Sequence, residues 1–68
     1  MGKKDYEALA DAFAEAYRAV QRFPDWASRE AGIEQAAHSV ACTLGALNPR
    51  FDEEKFLKRI ARGADAVG

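Results

Sequence analysis

The feature that most constrains this fold is an uncharged run, QAAHSVACTLGAL at residues 35–47, in a chain of which 31% is charged. A run of this length spans more than three helical turns. An amphipathic helix at a protein surface normally carries charged side chains opposite its apolar stripe. The run therefore predicts a helix that can be covered by neighbours on both sides, at the centre of the fold.

This second helix is predicted at about 25–47. Pro24 can stand at its start because proline is tolerated in the first turn of a helix, and Asn48-Pro49 ends it. At 100° per residue its larger apolar residues share one face: Trp26, Ile33, Ala36, Ala37, Val40, Leu44 and Leu47. A small-residue face lies opposite and is a candidate dimer face: Ala31, Gln35, His38, Cys42 and Gly45. Coverage by the other helices of the same monomer is the alternative, and the sequence leaves both open.

The first helix is predicted at about 4–22, because Tyr6, Leu9 and Phe13 recur at helical spacing. An acidic row lies outside this stripe: Glu7, Asp11 and Glu15. Such a row is typical of a solvated helix face. It is also a candidate partner-binding surface that presents carboxylates to a basic groove, as nucleic-acid mimics do.

The third helix is predicted at about 53–62, with Asp52 as N-cap and Gly63 at its C-terminal end. Phe51 and Phe56 have the spacing of a hydrophobic staple across that cap. A basic face is the second candidate partner-binding surface: Arg50, Lys55, Lys58, Arg59 and Arg62. Basic stripes contact phosphates, although cations near a helix C-terminus also satisfy the helix dipole.

These three segments predict an all-α fold, a compact three-helix bundle with a central, largely uncharged second helix, forming a single domain over residues 1–68. No stretch alternates with period two, so strands are not expected. A core this small gives its domain little stability. Helix packing or association must therefore stabilise the fold, where other small proteins use disulfides.

Composition argues against an enzyme, a metalloprotein and a cofactor-dependent protein, so we expect no catalytic residues, no metal ligands and no cofactor. The chain has one histidine and one cysteine, His38 and Cys42, which share a helical face but cannot complete a metal site or a catalytic constellation alone. A single thiol, no apolar signal-like segment and no membrane-length apolar run predict a cytoplasmic protein without membrane contact.

The segment NPRFDEEKFL, Asn48 to Leu57, resembles the NPRFD motif followed by RFL near the C-terminus of many short uncharacterised proteins of bacteriophages and bacterial mobile elements. The resemblance covers the second half of the chain. It implies a phage or mobile-element context, and therefore the cytoplasm of a bacterial host, but carries over no catalytic residue.

Together these features favour a small protein that acts by protein–protein interaction, with a host protein or complex as partner and a homodimer as a further option. The family context extends this to an inhibitor or modulator of a host system such as CRISPR or another defence. The alternative is a nucleic-acid-binding accessory or regulatory protein that uses the basic face of the third helix.

Overall fold

Two of the three helices form the main pairing of this bundle. The computed structural model describes residues 2–65, which form α1 (Lys3–Val20), α2 (Trp26–Leu47) and α3 (Glu53–Asp65). The pairing of α1 with α3 is the most extensive, and α2 packs against both. No strand occurs within these residues. The predicted all-α three-helix bundle is therefore confirmed.

The start of α3 follows the sequence signals closely. The Oδ1 of Asp52 accepts a hydrogen bond from the Lys55 N–H at 3.0 Å, which satisfies one of the free donors of the first turn. The rings of Phe51 and Phe56 lie 5.4 Å apart, in the contact expected of a hydrophobic staple. These two interactions fix both the first residue of α3 and the angle at which the chain enters it.

The end of α3 differs from the prediction, because the helix continues through Gly63 to Asp65. Gly63 has no positive φ, so it does not act as a left-handed cap. A Cβ at this position would lie 2.7 Å from the Cβ of Ala14 on α1. The Nη1 of Arg18 donates to the Gly63 carbonyl oxygen at 2.6 Å. Glycine here permits the close approach of α1 and α3.

The core consists mainly of alanines. Within residues 2–65 the buried apolar residues are Ala10, Ala14, Ala37, Ala41, Phe56 and Ile60. Small side chains let the helix backbones approach one another, but each buries little apolar area. Larger residues such as Leu9, Phe13 and Leu44 pack around this centre and remain half-buried.

The uncharged run is covered on one side only, which corrects the expectation of a helix covered on both. Ala37 and Ala41 of α2 are buried, but eight of the thirteen residues in 35–47 are exposed. Trp26 and Leu47, which the periodicity places on the inward face, are 47% and 77% exposed. The reason is that α1 and α3 pack chiefly against each other, so together they shield only the Ala37–Ala41 side of α2.

Candidate interaction surfaces

Arg59 of α3 joins the basic face to the acidic row of α1. Its Nε and Nη2 donate to Oδ1 and Oδ2 of Asp11 at 2.9 and 3.0 Å, and Nη1 donates to Oε2 of Glu7 at 3.4 Å. These hydrogen bonds hold the pKa of Asp11 below its usual value and raise the pKa of Arg59. Two members of the acidic row are thus engaged within the molecule, whereas Glu15 has no ion pair among residues 2–65.

The other cations of the basic face line a groove of about 760 Å³ that runs between α1, the α2–α3 loop and α3. Lys58 is paired with Glu54 at 3.0 Å between Nζ and Oε1. Arg50, Lys55 and Arg62 are exposed and have no ion pair in the described part of the chain. We call this concavity the basic groove, and its cations are Lys3, Arg50, Lys55, Lys58, Arg59 and Arg62.

The NPRFD loop forms one end of the basic groove and ties it to α1. Asn48 donates from Nδ2 to the Tyr6 hydroxyl at 2.9 Å, and its Oδ1 accepts the Arg50 N–H at 3.1 Å. The rings of Tyr6 and Phe51 lie 4.7 Å apart at a 51° tilt. The motif therefore has a structural role, since it ends α2, turns the chain and anchors the turn to the first helix.

The small-residue face predicted for dimerisation is accessible. Ala31, Gln35, His38 and Cys42 are exposed, and Gly45 is half-buried beneath the Glu53 side chain. The structure thus leaves this face accessible except at Gly45, which the first residue of α3 covers. Within residues 2–65, no three side chains of His, Cys, Asp or Glu are placed to hold a metal ion.

A second exposed surface of α2 was missed by the sequence reasoning. Trp26, Ile33, Val40 and Leu47 recur every seven residues along the whole helix. On a straight helix this spacing drifts by about 20° per repeat, so the four side chains stay within an arc of about 60°. The middle two are half-buried and the outer two are exposed. We call this stripe the apolar seam.

A crevice of about 290 Å³ is lined by residues of all three helices. Its walls include Tyr17 of α1, Glu30 and Glu34 of α2 and Asp65 of α3. Partial burial, together with the nearby carboxylates of Glu34 and Glu30, raises the pKa of the Tyr17 phenol above its usual value. The crevice is therefore a site of negative potential, opposite in sign to the basic groove.

No protein-family model, curated protein or solved structure matches this chain. No helix within residues 2–65 is both long enough and apolar enough to cross a bilayer.

The Asp11–Arg59 pair predicts a specific acid sensitivity. Because the pKa of Asp11 is lower in the folded state than its usual value of 3.8, its pair stabilises the fold above that pH, and this contribution is lost as pH falls through the folded pKa. We expect the melting temperature to drop below about pH 4. Asp11→Asn should flatten part of that drop. Part of the drop in melting temperature should remain in this variant, because Arg29 also lowers the pKa of Asp25.

Circular dichroism melts between neutral and strongly acidic pH at low ionic strength measure this effect, since salt screens exposed pairs. Glu15→Gln is the matched control because Glu15 lies one helical turn further along α1 and pairs with no cation among residues 2–65. Identical acid profiles for the wild type and Asp11→Asn would contradict the assignment.

Proposed function

We propose that this protein acts by protein–protein interaction, binding an amphipathic helix of a partner protein along the apolar seam of α2. The observation that carries the proposal is the exposure of Trp26 and Leu47, at 47% and 77%, at opposite ends of one stripe. A stripe of large apolar side chains every seven residues is the surface with which one helix packs against another. The interior of the bundle covers only the middle of this stripe.

The energetics favour a partner for this seam. Fully burying a large apolar side chain stabilises a structure by about 1.5–3 kcal/mol, and the exposed parts of Trp26 and Leu47 forgo part of that. Tryptophan is also among the residues that most often dominate binding energy at interfaces. The small alanine core leaves the domain with limited stability of its own, so association would add to it.

The kind of partner is supported by the NPRFD resemblance. A phage or mobile-element protein works in the bacterial cytoplasm, which makes a host protein or complex the partner of the seam. On this proposal the consequence of binding is inhibition or modulation of a host system such as CRISPR or another defence. The small size of the domain and the resemblance support this extension.

The single tryptophan makes the seam directly observable, because Trp26 is the sole source of tryptophan fluorescence in this chain. We expect its emission to shift to shorter wavelength when a partner helix covers the seam. Leu47→Lys should weaken binding by about tenfold or more, which corresponds to about 1.4 kcal/mol. Since Leu47 is 77% exposed, the free energy of unfolding should change by no more than about 0.5 kcal/mol.

Ala46→Lys is the matched control, since it adds the same charge to the neighbouring exposed position, about 100° away around α2. The tagged wild type and both variants are compared for proteins retained from bacterial lysate after nuclease treatment. We expect the wild type and Ala46→Lys to retain a stoichiometric partner that Leu47→Lys does not retain. Retention of the same partner by all three proteins would exclude the seam.

A second copy of the chain is the alternative occupant of the seam. Analytical ultracentrifugation with a parallel dilution series of Trp26 emission reports a homodimer through the seam. Ala31→Lys tests the small-residue face in the same assay, because Ala31 is exposed and lies across α2 from the seam. A dimer lost with Ala31→Lys but kept with Leu47→Lys would move self-association to the small-residue face.

A further inference from the structure

The basic groove lies between α1, the α2–α3 loop and α3, and has a ligand chemistry of its own. We infer that it binds single-stranded nucleic acid through the phosphate backbone. This inference stands independently of the proposed protein–protein interaction, because the cations involved lie on α1, α3 and the α2–α3 loop, whereas the seam residues lie on α2. Its basis is the charge, spacing and shape of the groove.

The charge of the groove is strongly one-sided in a chain whose formal net charge is −1. Six of the lining side chains are cationic, and two, Glu7 and Asp52, are acidic. Four of the six cations have no ion pair among residues 2–65: Lys3, Arg50, Lys55 and Arg62. Because unpaired cations gain the most from an incoming anion, these four are the expected phosphate contacts.

The cations are spread along the groove and do not converge on one point. Lys55 and Arg62 lie seven residues apart on α3, which separates their backbones by about 10.5 Å along the helix axis. Lys3 enters from the start of α1, and Arg50 from the α2–α3 loop. A linear polyanion with regularly repeated charges meets such a set of cations better than a single anionic group does.

Arg59 serves as a positioning residue in this arrangement. Its bidentate contact with Asp11 and its contact with Glu7 hold α3 against α1, so the walls of the groove are fixed before a ligand arrives. The same contacts occupy its guanidinium, which leaves phosphate binding to the unpaired cations. A preformed groove lowers the ordering cost of binding.

Two aromatic rings favour nucleic acid over an acidic peptide as the occupant. Tyr6 and Phe51 are half-buried, touch each other at one end of the groove and line it alongside the cations. Flat aromatic surfaces beside a basic track are the combination with which proteins hold single strands, by stacking on bases while cations contact phosphates.

Fluorescence anisotropy tests this inference with a labelled oligothymidylate of about twelve nucleotides, a length typical of single-strand sites. With four phosphate contacts, log affinity should fall against log salt with a slope of about −3, a loss of about fiftyfold between about 50 and 200 mM. Lys55→Ala combined with Arg62→Ala should halve that slope and weaken binding by about tenfold or more. Both residues are exposed, so the fold should persist, as circular dichroism will show.

Arg18→Ala is unsuitable as a control because Arg18 bonds to Gly63, so Arg22→Ala is used, with Lys4→Ala as a second. Both are exposed cations outside the groove lining. They should retain the wild-type slope. Three outcomes would overturn the inference: no binding at about 50 mM salt, tighter binding of the corresponding duplex, or binding of a labelled polyglutamate peptide alone.

Discussion

Phe56→Ala is expected to remove a large part of the free energy of unfolding of this domain. Phe56 is 5% exposed, and its ring lies 6.3 Å from that of Phe13 and 5.4 Å from that of Phe51. Truncating a buried phenylalanine costs about 3–5 kcal/mol. At about 0.05–0.15 kcal/mol per residue, a chain of 68 residues has a total stability of about 3–10 kcal/mol. The loss is therefore at least about a third of the total stability.

Far-ultraviolet circular dichroism and urea titration measure this loss directly. Phe23→Ala is the matched control because Phe23 is 40% exposed and the Arg29 guanidinium lies over its ring, with Cζ 4.2 Å from the centroid. An exposed cation–π contact is worth about 0.5–1 kcal/mol, so this control should remain folded. Equal destabilisation by the two substitutions would show that Phe56 does not occupy the centre of the core.

The position of Phe56 also explains how the short helix α3 contributes both to the buried core and to the basic groove. Phe56 and Ile60 are the buried residues of α3, and Lys55 and Arg62 project from another side of the same helix into the basic groove. Because the aromatic cluster fixes the rotation of α3 about its axis, it also fixes which cations face the groove. Loss of the Phe56 ring should therefore reduce anion binding even though no cation is altered.

The helices and their entry points could be predicted because their signals are local. The Asp52 cap and the Phe51–Phe56 staple involve residues three to five positions apart, and the observed contacts match them. The acidic row and basic face were likewise identified as surfaces. Their meeting through Arg59 and Asp11 was not, because it joins residues 48 positions apart and depends on how α1 and α3 cross.

Which side of α2 would remain uncovered could not be predicted, because this helix has apolar or small residues around most of its circumference. A periodic pattern defines a buried stripe only when the other faces are charged, and residues 35–47 supply no such contrast. Trp26 and Leu47 were consequently placed on a face that can be covered by neighbours, whereas both are exposed. Gly63 was misjudged for a related reason, since its role depends on Ala14 of another helix and not on a local cap.

Ala41→Leu is the second substitution with a large expected effect. Ala41 is 1% exposed and belongs to the buried cluster with Ala10 and Phe56, so a larger side chain has no space there. Overpacking of this kind costs about 1–3 kcal/mol. Ala46→Leu on the same helix is the control, because position 46 is exposed and leucine is nearly as good a helix former as alanine.

Urea titration followed by circular dichroism should show a lower midpoint for Ala41→Leu and an unchanged one for Ala46→Leu, with similar slopes. Equal midpoints would mean that α2 does not pack through Ala41. The substitution also separates the two binding surfaces. The most direct relief of the overpacking is a shift of α2 away from α1 and α3, whose own pairing is the most extensive and is clamped by Arg59. Folded Ala41→Leu protein should therefore keep oligonucleotide binding in the basic groove while Trp26 reports an altered environment at the seam.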